Sequence, residues 1–337
     1  MRIALVTTSW PRHEGDPAGH FVQAHARELE REGHEVTVIA PPPGGAFGWP
    51  GLAARMRERP LRTLDAARWV ARARAELRCL RVDRVVAHWC IPCAWPIATS
   101  AVVRRGRGTA TAPTIGRARI ETAEPRLEVV SHGADVRLLS ALPRRVACAI
   151  VSTVADRASS WTFPSDVTHL ELLAVLDPET RAAVERISHV LAPPIEMPDV
   201  SAAIAARRRE LGAKRVAVCV GRLVASKRVD RVIEHVARDH CHGNDLRAGP
   251  RALVVVGDGP ERRRLERLAR DRGVDARFVG KVDRREALAW IGAADEVIHA
   301  SAAEGLCTVL REAAALGTPV VRLDQRPLRW NAGTSQS

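Results

Sequence analysis

Short apolar runs alternate with amphipathic stretches along most of the chain. Residues 2–8 (Arg-Ile-Ala-Leu-Val-Thr-Thr) and 35–40 (Glu-Val-Thr-Val-Ile-Ala) are short, apolar and β-branched, which predicts buried strands. Between them, residues 20–32 carry Phe21, Ala24, Ala26 and Leu29 at helical spacing. Gly33 follows, a residue suited to the left-handed position that ends a helix. The chain therefore opens strand–loop–helix–strand, the beginning of a parallel α/β sheet. The same periodicities predict a helix over 64–80 and strands over 84–88, 127–131 and 146–154. Residues 104–126 follow no period and predict a long loop. Between Trp161 and Ile187 no strand–helix pair can be placed.

Residues 192–199 hold three prolines, and the stretch 193–214 reads as a linker. The rhythm then restarts: strand 215–220, helix 229–238, strand 252–256, helix 261–272, strand 276–279, helix 284–293, strand 296–300, helix 306–316, strand 319–323. Two α/β domains result, an N-terminal one over 1–192 and a C-terminal one over 215–324, with a polar, patternless tail at 325–337. Ligands of parallel sheets bind beyond the carboxyl ends of the strands, so the expected site faces a cleft between two such domains.

Composition adds a charge asymmetry. The formal net charge is +13. Residues 51–150 hold 19 Lys and Arg against 8 Asp and Glu, whereas residues 151–200 hold 3 against 8. A basic N-terminal domain suits an anionic lipid surface, nucleic acid or an anionic substrate. Alternatively it reflects an Arg-rich proteome, since only 3 of the 52 basic residues are Lys and Tyr is absent. Seven scattered cysteines in a chain of 337 residues point to a reducing, cytoplasmic setting. No apolar run reaches the ~20 residues of a membrane span. Cys90-Ile91-Pro92-Cys93 has redox-type spacing and His240-Cys241-His242 adds ligand types, but neither forms a two-pair zinc pattern, so no metal site is expected.

Three loops carry candidate chemistry. In Glu304-Gly305-Leu306-Cys307-Thr308-Val309-Leu310-Arg311-Glu312, Gly305 and Leu306 fall at a predicted helix N-terminus, where open backbone N–H groups and the dipole favour a phosphate. Glu304 and Glu312 then border that site as acceptors for sugar hydroxyls. The bland alternative is a dipole-favoured acid and a solvated helix Glu. In Gly221-Arg222-Leu223-Val224-Ala225-Ser226-Lys227, after the first strand of the second domain, Arg222 and Lys227 suit a diphosphate clamp; otherwise they are ordinary loop cations. Gly15-Asp16-Pro17-Ala18-Gly19, after the first strand of all, lets a ligand approach the backbone. Gly257-Asp258-Gly259 is not a dinucleotide fingerprint and reads as a tight turn.

Taken in order, Gly221-Arg222-Leu223…Ser226-Lys227, Val256-Gly257-Asp258-Gly259-Pro260, Phe278-Val279-Gly280 and Glu304-x7-Glu312 resemble the retaining GT-B glycosyltransferases of sequence family four (glycosyl transferases group 1) over about residues 215–323. The N-terminal resemblance rests on residues 1–40, His88-Trp89-Cys90-Ile91-Pro92 and Ser131-His132-Gly133-Ala134-Asp135. The resemblance implies an α/β fold of two Rossmann-like domains and sugar transfer from a nucleotide-diphosphate sugar to a hydroxyl acceptor, with retention and without a bound metal or cofactor. It implies that Arg222 and Lys227 neutralise the donor diphosphate, Glu304 lies beside the donor sugar, Glu312 binds the ribose, and backbone near Gly280 and Lys281 meets the nucleobase. It places Gly19 near the phosphate and acceptor, and His132 toward the reacting sugar. The basic stretch suits a lipid-linked acceptor at the inner face of an anionic membrane. Relative to the family, the C-terminal end reads as shortened. Two other readings stay open: a non-catalytic sugar-nucleotide binder and a basic nucleic-acid-binding protein. The second lacks a nucleic-acid motif, and aromatics are scarce at 4%.

Overall fold

The computed structural model describes residues 1–16, 18–43, 46–47, 55–56, 58–100, 125–212, 214–242, 252–301 and 307–323. The predicted loop over 104–126, all but its last two residues, and the tail at 325–337 lie outside them. The chain divides into two compact units, with the main break between Pro194 and Ile195.

In the first unit the elements are β1 (Arg2–Val6), α1 (His20–Arg31), β2 (Glu35–Ile39), α2 (Arg62–Cys79), β3 (Arg84–His88), α3 (Trp95–Ala98) and β4 (Arg126–Val130). They continue with α4 (Ala134–Ser140), α5 (Arg144–Ala155), β5 (Ala158–Phe163), α6 (Asp166–Leu173), α7 (Pro178–Glu185) and β6 (Ser188–Val190). The strands pair in parallel in the order β2-β1-β3-β4-β5-β6. A parallel sheet is covered on both faces, so its central strands are apolar throughout. Ile3, Ala4, Leu5 and Val85 are fully buried. One cluster packs Val6, Trp69, Leu77, Val129, Val151 and Trp161 together.

The second unit contains α8 (Ser201–Leu211), β7 (Val216–Val220), α9 (Val229–His242), β8 (Ala252–Val256), α10 (Arg262–Asp271), β9 (Ala276–Gly280), α11 (Arg284–Ala293), β10 (Glu296–His299), α12 (Thr308–Ala315) and β11 (Val320–Arg322). Its parallel sheet runs β11-β10-β7-β8-β9. Every residue of β8 is buried, with alternate side chains feeding clusters on opposite faces: Leu253 and Val255 with Ile233 and Leu265, and Ala252, Val254 and Val256 with Leu288 and Trp290. Side chains cap helix starts where the sequence provides them. Asp283 accepts from the N–H of Glu286 at 2.8 Å, and Asp177 from that of Thr180 at 2.9 Å.

Three stretches differ from the sequence expectation. Residues 146–154, predicted as a strand, belong to helix α5. Its buried positions Ala147, Ile150, Val151 and Val154 follow helical spacing, but the outward Val146 and the half-buried Cys148 are also apolar and mask that period. The strand is instead β5, where buried Trp161 and Phe163 flank the less buried Thr162, and α6 and α7 occupy the stretch up to Ile187. Within 193–214, α8 forms and packs on α11. There Gly292 leaves room for Ile204, whose Cδ1 would lie 2.4 Å from any Cβ at that position.

Candidate functional site

The strand order reverses direction at β7 in the second unit: the chain runs from β7 to β8 and β9 on one side, and β10 returns to the other. The loops after β7 and β10 therefore flank the crevice where ligands of open α/β sheets bind. The loop after β7 holds Arg222, which is exposed, and a single 3-10 turn, Ala225–Lys227, that ends in half-buried Lys227. Ser301, just past β10, donates to the carbonyl of Ser226 at 3.4 Å and ties the two loops together.

Glycines let three loop backbones interlock at this edge. Gly221 donates to Val256 O at 2.9 Å, Leu223 to Asp258 O at 3.0 Å, and Gly257 to Gly280 O at 2.9 Å. A Cβ at Gly257 would lie 1.9 Å from the carbonyl oxygen of Gly221, and one at Gly259 would lie 2.3 Å from that of Leu223. Gly257-Asp258-Gly259 is therefore a packing device that holds the Arg222 loop against β8. Arg262 completes it, donating to Asp258 at 3.3 Å and to the carbonyl of Phe278 at 3.2 Å.

Lys227 lies along Gly221, whose added Cβ would meet the lysine stem at 4.0 Å. Its charge acts on two thiols: Cys219 at the end of β7 and Cys307, the residue before α12. Burial pushes both thiols up, Cys219 to about 12, and Lys227 opposes the rise at each. Lys227 thus lies close enough to the end of β7 and to the residue before α12 for its charge to be felt at both. One turn along α12, Glu312 is buried and ion-paired with Arg284, Nε to Oε1 3.0 Å. Burial raises its carboxyl above the ordinary range, and Arg284 opposes that rise.

In the first unit, the polar groups collect beyond β3 and β4. Buried Asp135 accepts from Cys90 N at 2.8 Å, Ser131 Oγ at 2.8 Å and His132 N at 3.1 Å, while Trp161 donates from Nε1 to Ser131 Oγ at 3.0 Å. This network fixes the turn that presents His132. His132 Nε2 lies 2.8 Å from His88 Nδ1, and His88 Nε2 lies 3.2 Å from His25 Nδ1. Phe21 and Trp89 pack on the His132 ring, each with centroids 4.7 Å away. Burial lowers His132 to about 3. Gly19 caps α1 in the left-handed conformation, and a Cβ there would lie 2.5 Å from Ser9 O. Cys90 and Cys93 are free and buried, and burial pushes both thiols up. Thiols held protonated in this way are poor nucleophiles and metal ligands.

The glycosyl transferases group 1 family matches residues 202–329, which span the whole described sheet of the second unit. Over 95% of its length the chain is 27% identical to the GDP-mannose-dependent alpha-(1-6)-phosphatidylinositol monomannoside mannosyltransferase of Mycobacterium tuberculosis (strain ATCC 25618 / H37Rv), of which it covers 80%. It is 29% identical to the protein of the same name from Mycolicibacterium smegmatis, covering 95% of this chain and 79% of that one. Anabaena Alr3699/HepE in complex with UDP matches in structure with a TM-score of 0.58 at 17% identity, over 96% of this chain and 80% of that one. The chain is a glycosyltransferase of the GT-B fold, and its residues 202–329 are similar to the group 1 family.

Within this glycosyltransferase, the residues singled out from sequence fall on both units. Arg222, Lys227, Gly280 and Glu312 lie at the carboxyl edge of the second sheet or on the helix after it, and exposed Lys281 follows Gly280. Glu304, Gly305 and Leu306 lie outside the described residues, between Ser301 and Cys307. His132 and Gly19 belong to the first unit, where Phe21, two residues past Gly19, packs on His132. The side chains of His240, Cys241 and His242 are outside the described set. Sequence reasoning assigned no role to His25, His88, Asp135 or Arg284. His25 did carry a signal: it stands on the stripe Phe21, Val22, His25, Leu29, a ring where the helix face is otherwise apolar.

Proposed function

We propose that this glycosyltransferase is a retaining, metal-independent mannosyltransferase that takes GDP-mannose as donor and a hydroxyl of a phosphatidylinositol-based glycolipid as acceptor. The observation that carries the donor half is Lys227 in the turn after β7, packed along Gly221 at the switch point of the second sheet. In this reading Lys227 and Arg222 balance the charge that develops on the departing diphosphate, so that the protein's main contribution is electrostatic. The family resemblance assigns phosphate contact to Gly305 and Leu306 and sugar contact to Glu304. Glu312, oriented by Arg284, accepts from ribose hydroxyls. Gly280 and Lys281 border the base; Gly19 and His132 are the candidate site residues of the first unit. The choice of mannose and of a lipid acceptor rests on the two mycobacterial relatives, which match over 95% of the chain. The lipid acceptor is supported by α2, whose exposed positions include Leu64, Arg68, Arg72 and Arg78, a helix surface suited to anionic lipid at the cytoplasmic surface of a membrane.

The test is thermal stability with GDP-mannose, GDP, UDP-glucose and ADP-glucose, followed by transfer to phosphatidylinositol mannoside in vesicles. At 100 times its Kd, a donor that binds only the folded state adds about 2.7 kcal/mol. A shift selective for GDP-mannose, with labelled mannose appearing in lipid, is the expected result. A shift without transfer to any acceptor would establish a sugar-nucleotide-binding pseudoenzyme, and selectivity for a uridine nucleotide would overturn the donor.

A further inference from the structure

Three imidazoles of the first unit stand in one line, and the middle one is committed at both nitrogens. His88 Nδ1 faces His132 Nε2 at 2.8 Å, and His88 Nε2 faces His25 Nδ1 at 3.2 Å. The planes of His88 and His132 lie within 8° of each other with centroids 5.1 Å apart, which with so short an N···N distance is an in-plane N–H···N bond. A neutral imidazole carries one N–H and one lone pair. The line therefore holds its hydrogens in one of two registers, all pointing the same way, because any mixture sets two hydrogens or two lone pairs face to face.

In the first register, His132 donates Nε2–H to His88 and His88 donates Nε2–H to His25, which leaves His132 Nδ1 as a bare acceptor. In the second register every bond reverses and His132 Nδ1 carries the hydrogen. The outer end selects between them. His25 is half-buried, with the carboxylates of Glu128 and Glu32 drawing positive charge toward its ring and Arg84 opposing them. An outward Nε2–H on His25 makes its Nδ1 the acceptor and gives the first register, and the charges of Glu128, itself ion-paired with Arg84, and of exposed Glu32 favour it at that ring. Burial pushes all three rings below the ordinary imidazole range, so the line is uncharged near neutral pH.

We propose that His25 and His88 are positioning residues that lock His132 into its neutral Nε2–H tautomer, so that His132 Nδ1 offers a lone pair to a substrate hydroxyl. The recognised chemistry is thus a hydroxyl donor. This part of the inference rests on the glycosyltransferase reading, whereas the tautomer does not. Nδ1 of His132 has no hydrogen-bond partner among the described residues, while its Nε2 and backbone N–H are both engaged. The arrangement follows the way an imidazole that binds a metal is fixed by the bond its second nitrogen makes.

The test is a two-bond 1H–15N correlation on histidine-labelled protein near neutral pH, with His132 identified by its loss in His132→Ala. The expected wild-type pattern for His132 is a protonated Nε2 and a bare Nδ1. In His88→Leu that pattern should give way to a mixture of tautomers. In His88→Asn it should return, because the amide oxygen can accept the His132 Nε2–H where Nδ1 of His88 did. Steady-state transfer should fall about 10–100-fold in kcat/KM for His88→Leu and recover in His88→Asn. Wild-type protein with hydrogen on Nδ1, or an unchanged His132 tautomer in His88→Leu, overturns the proposal. If His88→Leu does not fold, the wild-type spectrum alone decides the register. A protein that shows the expected tautomer but transfers no sugar would overturn the functional reading and leave the locked histidine standing.

Discussion

Lys227 and Glu312 are separated by their surroundings more than by their charge. Lys227 is half-buried at a loop turn, and its removal strips the proposed diphosphate site of a positive group while the sheet beneath keeps its apolar contacts. Glu312 is buried against Arg284, with side-chain exposures of 8% and 12%. Truncating one member of such a pair leaves the other charge uncompensated, which costs about 3–5 kcal/mol. Lys227→Ala should therefore abolish the donor-induced stabilisation and lower transfer at least about 100-fold, while its ligand-free unfolding free energy stays within about 1 kcal/mol of wild type. Glu312→Ala should lower that free energy by several kcal/mol before any donor is added. Equilibrium denaturation of both proteins with and without GDP-mannose checks the pair. Equal loss of stability in the two would show that Lys227 is a structural residue. The same reasoning makes Lys227→Ala the cleaner control for donor binding.

At the scale of elements, the edge of the second sheet is built by backbone fitting into backbone. Gly257 has φ +136° and no space for a Cβ against the Gly221 carbonyl, whereas Gly273, with φ +65°, has nothing within 4 Å of an added Cβ. Gly257→Ala should cost about 3 kcal/mol or more, since the obstacle is main chain that cannot swing aside. Gly273→Ala should cost only the ~1–2 kcal/mol of left-handed strain. Urea midpoints measure both, and a Gly257→Ala midpoint equal to that of Gly273→Ala would remove the interlock from the account. These loops also show what the sequence makes legible. The βα rhythm from β7 to β11 is visible because each parallel strand is a short Val-rich run between turn residues, and the ordered motifs after those strands carry the family resemblance. The interlock is not visible, since nothing in Gly-Asp-Gly says which carbonyl it meets. Helix α5 misleads because its outward Val146 and half-buried Cys148 are apolar too. The histidine line is hidden for a different reason: His25, His88 and His132 come from a helix, a strand and a turn, and only the strand order of the first sheet makes them neighbours.

At the scale of the whole molecule, burial of neutral titratable groups sets the pH range of stability. His25, His88, His132 and His169 are all held below their ordinary value of 6.5, with desolvation the leading cause in each. Unfolded, they take up protons as pH falls through 6.5, while the folded protein does not. Stability from these rings is complete above 6.5 and declines below it, His132 continuing to lose its share until about pH 3. Each group contributes a slope of at most about 1.4 kcal/mol per pH unit. Glu312 acts in the opposite sense just above 4.5, because its raised carboxyl binds a proton in the folded state first. At the alkaline end, Cys90, Cys93, Cys219 and Cys307 are raised from 9.0 by burial, so the unfolded chain loses protons first and stability declines above that value. The unfolding free energy should therefore show a plateau from about pH 6.5 to 9 with a limb on each side. Replacing His132 by Gln should make the acid limb shallower without moving the alkaline one, because the ring that takes up a proton only on unfolding is gone. Denaturant titrations at closely spaced pH values read both limbs. An acid limb of the same slope in His132→Gln would mean that protonation of His132 plays no part in acid unfolding of this protein.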